Sequence, residues 1–158
     1  MTRGEFLMGK ILFNCMLSVV SALITILVGT LALNIPLLWD RILLVLVGII
    51  VGTAGWFFFL STFALRIRRN DMYNTIVNVL YFVLLFASSL FYPLDSMPSW
   101  LRWLSLVNPL TWHTDVLRFA TIGVGIPGTV AIEAVGYFLF LLLSFRFSVR
   151  ALQEALLE

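Results

Sequence analysis

Charge is what this sequence has least of. Lys, Arg, Asp and Glu together make up 11% of its 158 residues, against about 25% in a soluble globular domain. The chain is 61% hydrophobic, with a mean hydropathy of +1.06. So little polar surface excludes a water-soluble fold and points to an integral membrane protein. There is one cysteine and one histidine. A lone Cys15 inside an apolar run excludes a disulfide framework and a thiolate metal site, and it reads as a small buried hydrophobe. A lone His113, with no second His, Cys or clustered carboxylate, reads as structural rather than as a metal ligand. Basic runs interleaved with aromatics are missing, so nucleic acid is not an expected partner. The formal net charge of +2 says little; where the arginines fall says more.

Long apolar runs are what the chain has instead. A helix needs roughly 20 apolar residues to cross the hydrocarbon core. Residues 11–33 and 42–65 qualify without a charge. Residues 73–92 qualify with only Asn, Thr and Ser as polar interruptions. A fourth run, 126–145, is shorter in its apolar part and holds Glu133. Arg3 and Lys10 before an apolar run resemble a signal peptide, but a signal h-region is about 7–15 residues, so the first run is a span that stays. Arg3 and Lys10, Arg66, Arg68 and Arg69, and Arg146 and Arg150 fall on alternate connections. The positive-inside rule then places the N-terminus, the loop near Arg66–Arg69 and the C-terminus in the cytoplasm. Trp39, Trp100, Trp103 and Trp112 fall near the outer interface, where amphipathic rings belong. Gly48, Gly52 and Gly55 form a small-residue face on the second span, which permits close helix approach; the helix that meets it stays open.

The segment from Phe91 to Gly123 is too apolar for an ordinary loop and too interrupted for a span. Non-helical backbone at membrane depth must be buried in protein or lie at the interface. Pro98 suits the first turn of a short helix, with Asp95 or Ser96 to cap it. Trp100, Leu101, Trp103, Leu104 and Val107 follow at helical spacing as one apolar face, with Arg102 and Ser105 off it. Asn108-Pro109 is a second start signal, cap then first helical residue. That helix runs from Leu110 to about Ile122 and stops at Gly123. Asp115 and Arg118, three apart, are expected to pair. The segment, residues 93–123, is therefore expected to be an interfacial or re-entrant helix hairpin.

Glu133 is the one carboxylate inside a run. A charge at mid-bilayer costs about 2.5–3.5 kcal/mol on insertion scales. It lies five residues past Gly128, about 7–8 Å into the helix. Snorkelling, pairing with Arg102 or Arg118, and a role facing transported cargo all remain open. Gly4-Glu-Phe-Leu-Met-Gly9-Lys10 has the spacing of a phosphate-binding loop, but Ile11 stands where Ser or Thr would ligate magnesium, and no strand precedes it. ATP binding is rejected there, and nothing else offers a nucleophile–base pair or a cofactor site. An intramembrane enzyme would need a second ionisable group in the spans, and the first three have none.

Phe91-Tyr-Pro93-Leu, Met97-Pro98-Ser-Trp100-Leu101, Asn108-Pro109-Leu-Thr111 and Asp115-Val-Leu-Arg118 together resemble the signature of ABC-2 permeases, the membrane subunits of ATP-driven exporters of drugs and glycolipids. Trp112 replaces the usual Tyr, and Met97 the usual Leu. The start, Thr2 to Lys10, is similar to the family's cytoplasmic coupling helix. The resemblance implies an all-α membrane protein of four transmembrane helices, with a short extracellular hairpin before the last one, as a partial version of a six-helix permease. It implies a coupling segment, 2–10, that docks a separate ABC ATPase through Arg3, Glu5, Phe6 and Lys10. It implies an outer gate built on Pro93, Pro98, Trp100, Asn108, Pro109, Asp115 and Arg118, with Glu133 as a candidate intramembrane polar site. The implied partners are the ATPase subunit, a second permease subunit and the lipid bilayer, in the plasma membrane. No cofactor and no catalytic or metal residue is implied, since ATP hydrolysis falls to the partner. The family's first two spans have no counterpart, so a truncated or split subunit is also expected. The alternative is a non-transporting fragment or a small four-span interaction protein.

Overall fold

The computed structural model describes the backbone of residues 3–67, 69–92 and 94–157, with side chains except at 3, 4, 6, 7, 95 and 155–157. The described chain is helical. Six α-helices follow in order: α1 (Arg3–Ala32), α2 (Ile42–Arg66), α3 (Asn70–Phe86), α4 (Ser99–Leu106), α5 (Pro109–Ile122) and α6 (Pro127–Leu157), with short 3-10 turns at Trp39–Arg41 and Leu94–Ser96.

Three of these helices are long and apolar enough to cross a membrane, over Met8–Ala32, Trp39–Arg66 and Pro127–Glu154. α1 begins at Arg3 and runs unbroken into the first span. The expected coupling segment is thus not a separate helix: its described part forms the first turns of α1. α1 stops because Asn34 adopts a left-handed φ of 50°, so that Ile35 N–H donates back to Gly29 O at 3.2 Å, and Pro36 cannot continue a helix.

The expected third span, 73–92, is not one helix. α3 ends at Phe86 after 17 residues, about 25 Å of rise against a hydrocarbon core of about 30 Å. The backbone turns at 87–90, because side chains from elsewhere capture the carbonyls at the helix end. α4 also differs from expectation. Pro98 lies just before it, at φ −55° and ψ 149°, and among the described residues no side chain caps it; the side chain of Asp95 lies outside the described residues. Its tryptophan face points outward, with Trp100 66% and Trp103 71% exposed, while Ser105 is buried.

α2 and α6 run parallel and form the centre of the bundle. Trp56 and Phe59 pack on Phe140 at centroid distances of 5.4 and 5.5 Å, and Phe58 packs on Phe145 at 5.0 Å. Ser61 and Ser148 share a hydrogen bond of 2.7 Å. The buried stripe of α6 is Val130, Glu133, Tyr137, Ser144, Ser148 and Ala151, a helical repeat. α5 lies across α2 and α6. α1 packs back along α2 through Val19, Ala22 and Ile26, against a core of Val45, Ile49 and Ala120. Phe13, Met16 and Val20 of α1 stay exposed, as lipid-facing side chains would. Arg66 of α2 meets Glu154 of α6 at 3.2 Å, so the 66–69 loop and the end of α6 share one end of the bundle.

Candidate functional site

The last four carbonyls of a helix have no partner within it. At the end of α3 the carbonyls of Val83, Leu84 and Leu85 find one. Val83 O accepts from Ala87 N–H at 3.0 Å. Leu85 O accepts from the Ser88 hydroxyl at 2.7 Å. Leu84 O accepts from Asn108 Nδ2 at 2.8 Å. Past the helix, Ala87 O accepts from Asn108 Nδ2 at 2.9 Å and from the Ser105 hydroxyl at 2.8 Å. Asn108 meanwhile caps α5, its Oδ1 accepting from Leu110 N–H at 2.9 Å. One buried side chain thus starts one helix and finishes another. The amide orientation follows from the network, because only an NH₂ group can face two carbonyls.

Ser89 is held just as fully. Its N–H donates to Thr111 Oγ1 at 3.2 Å, and its hydroxyl donates to Asp115 Oδ1 at 2.8 Å. Its carbonyl accepts from Arg118 at 3.1 Å, and Arg118 also reaches Asp115 Oδ1 at 2.8 Å. Asn108, Thr111, Asp115 and Arg118 recur every three or four residues, which is one face of α5. That face covers the turn at 87–90, so backbone that leaves the helix stays satisfied. Ser88, Ser89, Ser105, Asn108 and Thr111 are all buried. The expected start at Asn108-Pro109, the stop at Gly123 (φ 73°) and the Asp115–Arg118 pair are all present.

The opposite side of α5 meets the glycine face of α2. Leu117 lies over Gly48, the His113 ring over Gly52, and Tyr137 of α6 over Gly55. His113 Nε2 lies 3.2 Å from Gly48 O. A carbonyl only accepts, so this nitrogen carries the proton. Burial pushes the imidazole below its ordinary value, opposed by the Gly48 hydrogen bond. Tyr137 stacks on His113 at 5.0 Å and donates to Gly52 O at 2.8 Å. The partner of the glycine face is therefore α5 together with α6.

The structure brings Asn108, Pro109, Asp115 and Arg118 to one place. Trp100 stands apart, exposed on α4, and Pro98 sits at its start. Pro93 lies outside the described residues. Glu5 and Lys10 are exposed on the first turns of α1, far along the chain from this site; the side chains of Arg3 and Phe6 lie outside the described residues. Glu133 is 6% exposed, and among the described residues no ion pair links it to Arg102 or Arg118. Sequence reasoning missed Ser88, Ser89, Ser105 and Thr111. The only available signal was a serine pair interrupting an apolar run. Among the described residues no three His, Cys, Asp or Glu side chains gather as a metal would require.

The fold defines a multi-helix membrane protein in which the end of α3 is held by side chains of α5. The family model for "ABC-2 type transporter" matches residues 1–122, from the start of the chain to the end of α5. The chain belongs to that family. It is also similar to a protein from Cyanophora paradoxa described as "Putative transport permease ycf38", at 48% identity over 44 residues. That match covers 28% of this chain and 15% of the other. No solved structure matches.

Proposed function

We propose that this chain is the membrane-spanning permease subunit of an exporter and is driven by a separate cytoplasmic ABC ATPase. The observation that carries the reading is the family match over residues 1–122, which includes the turn at 87–90 and the α5 face that covers it. ATP hydrolysis belongs to the partner in this reading. α1, α2 and α6 cross the plasma membrane. α3 crosses as a fourth span, its missing length supplied by the turn that α5 shields. The basic residues at one end of the bundle support a cytoplasmic position for both termini. α4, with Trp100 and Trp103 turned outward, lies at the outer interface. The α4–α5 hairpin then forms the outer gate, between this subunit and a second permease subunit.

Coupling runs through the start of α1. A rigid helix that continues from a charged cytoplasmic end into a span transmits a push along its axis. A co-expressed ABC ATPase is expected to co-purify with the chain. The double variant Arg3→Glu with Glu5→Arg is expected to lose it, because reversing both charges mispairs the docking surface. Retention of the ATPase by that variant sinks the coupling assignment.

A further inference from the structure

Arginine stays charged at any pH a protein meets, so each one needs an anion or water. Most of the described arginines have a partner. Arg41 lies 3.8 Å from Asp40 and over the Phe119 ring. Arg66 meets Glu154 at 3.2 Å, Arg69 meets Asp71 at 2.6 Å, and Arg118 meets Asp115 at 2.8 Å. Arg102 also makes a contact. Arg146 and Arg150 differ. Both are exposed on α6, and among the described residues no hydrogen bond, ion pair or ring contact reaches either. Glu154, one turn beyond Arg150, is the carboxylate in reach, and Arg66 already holds it.

Leu139, Leu143, Arg146 and Arg150 recur every three or four residues, so they share one face of α6. Leu139 is 54% and Leu143 55% exposed. The buried residues Tyr137, Ser144, Ser148 and Ala151 lie on the opposite side of the helix. Measured from Pro127, Arg146 is about 28 Å and Arg150 about 34 Å along the helix, against a hydrocarbon core of about 30 Å. With Pro127 at one edge of the core, the two arginines reach the headgroups at the other, and the leucines face acyl chains. Side chains one turn apart are about 5–6 Å from each other at Cβ, so two guanidinium forks can close on one phosphate. A soluble acidic protein would complement the arginines but leave the leucines uncovered. A second copy across a two-fold contact would bring like charges together. An anionic phospholipid offers an anion and then two apolar chains, in the order that this face presents.

We propose that Arg146 and Arg150 bind the phosphate of an anionic phospholipid, with an acyl chain of that lipid along Leu143 and Leu139. The site goes beyond the permease reading and does not rest on it.

The test is native mass spectrometry of the full chain in a neutral detergent, titrated with phosphatidylglycerol or with phosphatidylcholine of the same acyl chains. Phosphatidylcholine carries the same phosphate, with an ammonium that cancels its charge. The first phosphatidylglycerol should bind on the order of tenfold more tightly. Arg146→Gln with Arg150→Gln should bring the two lipids to equal affinity. Arg66→Gln with Arg69→Gln removes the same charge from paired arginines and should leave the preference in place. Glycerophosphoglycerol, the headgroup without chains, should bind more weakly than the lipid by on the order of tenfold or more. The comparison of two lipids on the unaltered chain needs no variant, so a variant that fails to fold cannot hide the answer. Equal binding of the two lipids overturns the proposal and leaves the arginines to an acidic protein surface. A preference lost equally in both double variants overturns it too, since net charge alone would then select the lipid. So does equal binding of the chain-free headgroup, which would make this a site for a soluble anion.

Discussion

Asn108→Asp is expected to destabilise the protein more than Asn108→Ala does. For an ordinary helix cap the order is the reverse, because Asp caps as well as Asn. Here Nδ2 donates to Leu84 O and Ala87 O. A carboxylate in that place turns both donors into acceptors, aimed at two buried carbonyls. Alanine removes the cap, worth about 0.5–2 kcal/mol, and strands Leu84 O, at about 1–3 kcal/mol. Ala87 O keeps its bond from Ser105. The alanine variant should therefore lose about 3 kcal/mol and the aspartate variant more. Thermal unfolding of the purified variants in detergent measures the order. Limited proteolysis locates the effect, since the turn at 87–90 should become the first site cut. If Asn108→Asp proves as stable as the unaltered protein, Asn108 is only a cap and the account of α3's ending is wrong.

Gly52→Ala is the second large effect. A Cβ at this position would overlap the His113 imidazole, whose ring cannot swing aside because Tyr137 stacks on it. Overpacking of this kind costs about 1–3 kcal/mol, occasionally more. It should also break the His113–Gly48 hydrogen bond and push α5 off α2. The discriminating measurement is the double variant. His113→Ala frees the space, so adding Gly52→Ala to it should cost little. The coupling energy between the two positions should be about 1–3 kcal/mol, as for residues in direct contact. Simple additivity would mean that α5 does not lie on the glycine face. Gly9, where a Cβ meets nothing within 4 Å, is the control: Gly9→Ala should not lower stability.

Much of α5 was legible in the sequence because its signals are local. Asn108 and Pro109 start it, Gly123 ends it, and Asp115 and Arg118 are neighbours by helical spacing alone. The end of α3 was not legible for the opposite reason. Nothing in residues 73–92 forbids a helix through Tyr92, and Ser88 and Ser89 are tolerated in membrane helices. What stops the helix is a competing set of donors and acceptors at 105, 108, 111, 115 and 118, which become neighbours only in the fold. The orientation of α4 was hidden too. Its tryptophans and leucines mark a face but not what that face meets, and the structure turns them outward while burying Ser105 on Ala87 O.

By itself the sequence determined the membrane environment, three of the long helices, the hairpin's second helix and the family resemblance. These follow from composition, run length and signals within a few residues. The tertiary structure alone decided which helices meet the glycines of α2, where α3 ends, and which face of α6 packs inside the bundle. The physical reason lies in the solvent. In water, an apolar face announces the core. In a bilayer the surroundings are as apolar as the interior, so hydrophobicity no longer distinguishes inside from outside. Contacts are then fixed by small residues and by polar groups that must find partners, and those partners lie far away in sequence.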